Sequence, residues 1–406
     1  MKARLAIIAQ YSGDDFSSSN NRFNYLAKFL SNDFDVELIT SNFSHKNKTK
    51  RPILADNTVN NCGYSITYLD EPGYNSNKSI MRVFSLHIIK RNLRRYLKNK
   101  SYDVAIVASP PLGYAECAIN EMKKSNTPVI LDVQDLWPEA FDMIFRRTFA
   151  FDFIKAFYER KAKFIYQSAD RVVAVSKTYA KQISQKYAVN NVSSVYIGTE
   201  LVSFDNQQRT DSIDLVKFVY VGSLSSSYTL DNFFESISRV SAHGKTLKYT
   251  IDIYGDGERK VYLEELCKRL NVRATFHGFV SFSYLRTHLS YYDVALNFIH
   301  EKSEASIINK HGDYFSSGLF VLSSQQSEEI CDLINAYDCG LNVSNNEPEQ
   351  IDKSITFIFN NLASIRHKRV NSLRLAKDHF ARERTYNEFR FLVERLITSN
   401  SIKQGS

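Results

Sequence analysis

Cysteine is sparse and dispersed. Cys62, Cys117, Cys267, Cys331 and Cys339 form no CxxC pair, so the chain offers neither a zinc knuckle nor a disulfide framework. A reducing cytoplasm is the compartment that suits such usage. Long apolar runs are missing too, and none approaches the ~18 residues of a membrane span. The start, MKARLAIIAQYSGDD, is basic and briefly apolar. It lacks a small-residue cleavage site and alternates like a strand, so no signal peptide is expected. Acids are outnumbered, with 44 Asp and Glu against 52 Lys and Arg, for a net charge of +8. That balance suits an anionic partner, either an acidic membrane face or a phosphorylated substrate. A merely basic surface produces the same number. Nucleic acid is not expected, because no recognition module is present. Glycine is scarce (14 residues) while Tyr and Phe are abundant (24 and 28), a bias that genome composition alone can produce.

What is present is a repeated alternation of short apolar runs with amphipathic stretches, the pattern of βα units. The 406 residues suffice for two domains with proper cores. In the first half, strands are expected at Leu5–Ala9, Val36–Thr40, Ser65–Leu69, Val104–Ala108, Val129–Asp132, Arg171–Val175 and Ser194–Ile197. Residues 41 to about 61 read as a polar, mobile loop. SFDNQQRTDSID, residues 203–214, reads as a linker. The pattern then restarts with strands at Lys217–Val221, Tyr249–Tyr254, Arg273–His277, Val294–Phe298 and Phe320–Leu322, and everything beyond about Pro348 has a helical pattern. The expected fold is therefore α/β, with two doubly wound parallel sheets facing a cleft. In such sheets ligands bind outside the carboxyl ends of the strands.

Several strand ends carry chemistry. LDVQDLWPEAF, residues 131–141, holds the one tryptophan, Trp137, beside Asp132, Gln134 and Asp135. Gly222-Ser223-Leu224 follows a strand and precedes a helix. Glycine there admits close backbone approach to a phosphate, and helix N-terminal amides favour negative charge; an ordinary polar loop is the plainer alternative. Gly255-Asp256-Gly257 also follows a strand but is not GxGxxG, so a dehydrogenase is disfavoured. His277-Gly278 closes another strand. No acidic pair of DxD type is placed to hold a metal, and neither metal nor cofactor is expected.

Taken together, FVYVGSLSSSYTLDNFFESI, YTIDIYGDGERKVYLEELCKRLNVRATFHGFVSFSYLRTHLSYYDVALNF and ADRVVAVSKTYAKQI resemble the retaining family 4 glycosyltransferases of GT-B fold, over nearly the whole chain. LDVQDLWPE is similar to a bacterial surface-polysaccharide branch of that family. The resemblance implies a Rossmann-like acceptor domain over 1–205, a nucleotide-sugar donor domain over 206–375, and a helix at 376–398 crossing back to the first domain. It implies donor contacts from Gly13, Arg22, Gly222, Ser223, Gly255, His277, Lys310 and Asp313. Acceptor contacts fall to Trp137 and Asp132, and catalytic roles to Asp135 and Gln134. In INKHGDYFSSGLFVL, residues Lys310, Asp313 and Tyr314 match the end of that branch's Pro-Ser-Lys-x-x-Glu-Tyr arrangement. There are departures as well. The Arg that commonly follows the glycine is Ser223, and a Lys a few residues on is Tyr228. The glutamate pair eight residues apart falls on Ala305 and Asp313, and a His before Asp135 is Gln134.

SIMRVFSLHIIKRNLRRYLKNK, residues 79–100, gives an apolar stripe of Ile80, Val83, Phe84, Ile88, Leu93 and Leu97 among seven basic residues with no acid. A basic amphipathic helix can lie on an anionic membrane, and residues 141–166 add aromatic and basic character. A crossover helix with a solvated basic face is the bland alternative. The expected protein is a cytoplasmic glycosyltransferase, peripheral on the inner membrane face. It takes a nucleotide-sugar, with UDP as the expected nucleotide, and a glycan or undecaprenyl-pyrophosphate-linked acceptor, for capsule, O-antigen or exopolysaccharide synthesis. An inactive partner or activator subunit of the same fold, or a GT-B sugar-nucleotide epimerase, are the alternatives.

Overall fold

A computed structural model of the chain describes residues 2–12, 22–45, 47–51, 58–61, 63–76, 79–138, 149–201, 214–242, 247–301 and 306–405. The chain divides into two compact units, Met1–Tyr196 with Thr385–Ser406, and Ile197–Arg384.

The first unit is built on β1 (Arg4–Ile8), β2 (Asp35–Ser41), a small hairpin of β3 (Phe43–Ser44) and β4 (Thr49–Lys50), then β5 (Thr58–Asn61), β6 (Tyr64–Leu69), β7 (Val104–Ser109), β8 (Val129–Val133), β9 (Arg171–Ala174) and β10 (Val192–Ser194). Its main sheet has the order β10-β9-β8-β7-β1-β2-β6-β5. All pairs are parallel except β5 with β6. Runs such as VAIVAS in β7, buried at every position, are what a strand covered on both faces requires. The strand order reverses between β1 and β7, which is the switch point of this sheet.

The second unit carries β11 (Leu215–Val221), β12 (Lys248–Tyr254), β13 (Ala274–Gly278), β14 (Val294–Asn297), β15 (Phe320–Ser323) and β16 (Gly340–Asn342). They form an all-parallel sheet in the order β13-β12-β11-β14-β15-β16. Its switch point lies between β11 and β14. Phe218, Phe233, Phe298 and Ile355 are among the residues of the core that helices close over this sheet.

The long C-terminal helix Arg382–Gly405 buries Tyr386, Phe389, Val393 and Leu396 in the core of the first unit, with Leu5, Ile7 and Leu26. Before it, Ala381 is extended and bridges to Thr199. Thr199 N donates to Phe380 O at 2.7 Å, and Arg382 N donates to Thr199 O at 3.1 Å. This pairing breaks the helical run that the sequence pattern suggested was unbroken.

Other details also differ from expectation. Residues 41–61 contain the hairpin and the antiparallel strand β5 rather than a loop throughout. The last strand of the first unit is Val192–Ser194, beginning two residues earlier than expected and paired with Val172–Ala174 of β9. β16 was not expected at all; three half-buried residues are too few to show a period. The linker reading of 203–214 falls outside the described residues except for Asp214. Among the described residues, no helix is long and apolar enough to cross a membrane.

Candidate functional site

In the second unit, the carboxyl ends of β11 and β14 flank the switch point, where a ligand is expected. β11 ends at Val221, and Gly222 turns the chain with φ of 150°. The turn is laced to the next strand's loop. Gly222 N donates to Tyr254 O, and Leu224 N to Asp256 O, both at 2.9 Å. Gly255 lies so close that an added Cβ would sit 1.8 Å from the Gly222 carbonyl oxygen. Its own N–H is spent on Gly278 O at 2.8 Å. The N–H groups of Gly222 and Gly255 are therefore spent within the loop and are not left for a phosphate. Ser223 differs: it is exposed, and among the described residues neither its N–H nor its hydroxyl has a partner.

The helix Asn309–Ser316 brings Lys310 beneath this turn. A Cβ on Gly222 would stand 3.0 Å from Lys310 Nζ. The ammonium lies 4.3 Å from the centroid of Tyr220 and 4.1 Å from that of Tyr228, favourable cation–π distances. Yet Lys310 is only 8% exposed, and its Nζ has no hydrogen-bond partner among the described residues. Burial pulls its pKa down to about 7. Lys310 and Asp313 stand three residues apart on this helix but do not bond to each other. Asp313 instead accepts a hydrogen bond from Thr199 Oγ at 2.9 Å. Burial lifts its carboxyl to about 6, against the pull of Thr199, Arg382 and Arg286.

Two neighbours on that helix hold it in place. Tyr314 Oη accepts from Val221 N at 2.9 Å and donates to Leu296 O at 3.3 Å, tying the helix to the ends of both β11 and β14. His311, fully buried, accepts from Ile308 N at 3.2 Å and contacts Asn297 at 3.1 Å. Burial and Lys310 depress its pKa to about 3, so it is neutral. Sequence reasoning assigned neither residue a role. The polar-aromatic run KHGDYF was the available signal, but nothing in it tells a buried histidine from an exposed one. His277 stands apart on β13, exposed, with Nε2 2.6 Å from Asp252 Oδ1 and its ring stacked on Tyr254 at 4.5 Å. Ala305 lies outside the described residues.

In the first unit, the end of β8 holds a different arrangement. Asp132 is fully buried and receives Arg22 Nε at 2.9 Å and Nη2 at 3.1 Å. Arg22 also donates to Tyr196 O at 3.1 Å and Val195 O at 3.3 Å, and lies 5.1 Å over the ring of Phe389. Gln134 Nε2 adds a third bond to Asp132 at 2.9 Å. Burial pushes the Asp132 carboxyl up, while Arg22 and Gln134 oppose it; the bidentate fork is the geometry of an ionised pair. Arg22 is thus neither a free phosphate ligand nor part of a solvated helix start, and Asp132 is not free for an acceptor. Each is consumed by the other.

Beyond them the segment opens. Asp135 is exposed, with no partner among the described residues. The protein crowding it raises its carboxyl pKa, and solvent access moderates that shift. Trp137 is half-buried, and a cis peptide links it to Pro138. Gly13 lies outside the described residues. Among those described, no cluster of three His, Cys, Asp or Glu could hold a metal ion.

Two family descriptions match the chain in tandem: Glycosyltransferase Family 4 over residues 20–201 and Glycosyl transferases group 1 over residues 216–361. Among solved structures, sucrose-phosphate synthase from Thermosynechococcus elongatus is similar over 98% of this chain and 100% of its own, with a TM-score of 0.76 and 13% identity. HepE of Anabaena, solved in complex with UDP and glucose, is similar over 97% of this chain and 100% of its own, with a TM-score of 0.69 and 12% identity. The lipopolysaccharide outer core galactosyltransferase WaaB matches over 98% and 99%, with a TM-score of 0.62 and 16% identity. At these identities the likeness is one of fold, and that fold is GT-B. No curated protein matches the chain in sequence.

Proposed function

Because the chain belongs to family 4 of the retaining, nucleotide-sugar-dependent glycosyltransferases, we propose that it transfers a sugar from a UDP-sugar to a glycan or undecaprenyl-pyrophosphate-linked acceptor in bacterial surface-polysaccharide synthesis. The observation that carries the donor site is Lys310. It is a buried cation under the Gly222 turn, with ring faces beside it and, among the described residues, no carboxylate bonded to it. It supplies the positive charge that Ser223 and Tyr228 cannot.

In this reading Lys310 and the Ser223 N–H and hydroxyl face the donor diphosphate. The Asp313 oxygen not taken by Thr199 accepts a bond from a ribose or sugar hydroxyl. As the bond from the anomeric carbon to the phosphate oxygen breaks, negative charge grows on the leaving diphosphate, where a fixed cation lowers the barrier. The acceptor oxygen attacks from the same face and its proton passes to the departing phosphate, which preserves configuration. Asp135 orients the acceptor hydroxyl and Trp137 offers its sugar a stacking face. Gln134 supports the segment by holding Asp132. HepE, a protein of the same fold, was solved holding UDP, which favours that nucleotide.

For the acceptor side, Ile80, Val83 and Phe84 are exposed on one helix of the first unit and Phe153, Ile154 and Phe157 on another. The same helices carry basic residues, among them Arg91, Arg95, Lys155 and Arg160, a combination that suits a peripheral protein on an anionic membrane face. The stripe expected there is split: the buried face of the first of these helices is Ser85, Ile89, Leu93 and Leu97, and its exposed apolar groups gather in the first turns.

Thermal unfolding with UDP, GDP, CDP and ADP tests the donor site. A ligand at a hundred times its dissociation constant stabilises the native state by roughly 2.7 kcal/mol, so a shift with UDP alone is expected. Silence across all four favours the alternative that the lost arginine and lysine suggest, an inactive partner subunit.

A further inference from the structure

A buried ammonium with no anion bonded to it is costly, and Lys310 has company that cannot change that. Tyr220 on β11 faces it with its ring, and that hydroxyl is already donated to Ser223 O at 2.7 Å. Tyr228, from the loop after β11, offers only its ring. Tyr314, on its own helix, is bonded to the ends of β11 and β14. Asp313 turns to Thr199. The nearby cation Arg259 is held by Tyr228 O at 2.8 Å and Asp231 at 3.2 Å. His311, next in sequence, is a neutral imidazole bonded to Ile308 N. Among the described residues the amine is thus faced by the rings of Tyr220 and Tyr228 and lies against the Gly222 turn, with no hydrogen-bond partner of its own.

We propose that this socket binds a nucleoside diphosphate together with a proton. Lys310 stands largely as the neutral amine when the site is empty above neutral pH, and becomes ammonium as the diphosphate arrives. This rests on the donor-site reading and goes beyond it, because it makes donor affinity depend on pH through one named residue.

Among the described residues facing it, Lys310 is the group that titrates in this range. Its empty-site value is about 7, whereas Asp313 near 6 and His311 near 3 have finished titrating by then. Burial holds Tyr220, Tyr228 and Tyr314 above the ordinary phenol range, so they stay protonated. A diphosphate in contact restores the charged form. Above about pH 7, affinity should therefore fall by about tenfold per pH unit.

The test is calorimetric titration of the whole protein with UDP at about pH 8, in two buffers of different ionisation enthalpy. The terminal phosphate of UDP, with a second ionisation near ~6, is then fully ionised. The wild type should take up close to one proton per UDP bound, and its Kd should rise about tenfold between about pH 7.5 and 8.5. Lys310→Arg, whose side chain cannot be deprotonated, should bind UDP with no uptake and a flat profile. Binding by the wild type without proton uptake and with a flat profile overturns the proposal, and equal uptake in Lys310→Arg assigns the proton elsewhere and does the same. If Lys310→Arg does not fold, the wild-type uptake and pH profile decide alone. If none of UDP, GDP, CDP or ADP binds the wild type, the donor-site reading itself has failed, a separate result.

Discussion

Each unit of this protein buries a basic side chain at the carboxyl end of its sheet, and the two are treated in opposite ways. Arg22 is 4% exposed and has a bidentate carboxylate, two carbonyls and a ring face. Lys310 is 8% exposed and, among the described residues, has two ring faces and no hydrogen-bond partner. Both are buried, but only Arg22 is satisfied. A fully paired buried charge belongs to the architecture, because its ligand is already built in. One left unpaired costs stability that only an incoming anion can return, which marks a binding site. The contrast separates two residues that resemblance alone had placed together as phosphate ligands.

The sharpest way to break the comparison is to remove one half of the satisfied pair. Among the described residues, Arg22→Ala leaves Asp132 buried with Gln134 alone to bond it. The expected loss is about 3–5 kcal/mol, read as a large fall in the denaturant midpoint. If stability falls by less than ~1 kcal/mol, the pair is not structural and Arg22 returns as a ligand candidate. The converse substitution is Lys310→Met. It should weaken UDP binding by about 100-fold or more, yet stabilise the empty protein. The folded pKa of Lys310, about 7, lies below the value of ~10.4 for a free lysine, so the unfolded chain binds more protons between these limits. The native state is penalised most below pH 7, and the penalty fades as pH rises toward ~10.4. Lys310→Met should therefore gain on the order of 2–4 kcal/mol at pH 6 and almost nothing at pH 10. A destabilised Lys310→Met at pH 6 contradicts the idea of an unsatisfied charge.

This pair also shows what could be read from the sequence and what could not. The sheets were legible because parallel strands covered on both faces are continuous apolar runs, as in VAIVAS. The three-residue β16 was not, being too short to carry a period. Lys310 was found through its neighbours in INKHGDYF. Its aromatic socket was hidden, because Tyr220 and Tyr228 meet it only through the fold. Arg22 and Asp132 are 110 positions apart; each was singled out, and nothing local says that one neutralises the other. Strand-end glycines announced the loop but not its hydrogen bonds, which decide which amides remain free. Charge can be counted in a sequence, but pairing is a property of three dimensions.

Asp313 extends the contrast to a carboxylate on the same helix as Lys310. Its folded value of about 6 exceeds the ordinary 3.8, so the native carboxyl binds protons more tightly than the unfolded one. Its contribution is therefore most favourable below about pH 4 and is lost as pH rises through 6. Asp313→Asn keeps an oxygen for Thr199 and removes the charge. After allowance for its partial solvent access it should gain about 1 kcal/mol at pH 7.5 and nothing at pH 4. Activity should drop by about tenfold, as kcat/KM for the donor. Full transfer activity in Asp313→Ala as well would remove Asp313 from the donor site.

The smallest expected effects concern apolar groups, for which the same distinction between satisfied and unsatisfied holds. On the helix Ile80–Leu97, the side chains of Ile89, Leu93 and Leu97 are buried against the first unit, whereas Ile80 is 87% and Phe84 50% exposed. An apolar side chain already in water contributes little to folding, so Ile80→Ser with Phe84→Ser should change stability by no more than ~0.5 kcal/mol. If these groups enter a lipid interface, each gives up apolar surface to it at roughly 25 cal/mol per Å². Flotation with anionic vesicles at low salt should then weaken by about tenfold in the double variant. Leu93→Ser, by contrast, should unfold the helix's packing at a cost of several kcal/mol, while Phe84→Ser keeps the fold and loses the vesicle. Should the double variant float as well as the wild type, attachment rests on the basic residues alone, and binding would vanish for both proteins at high salt.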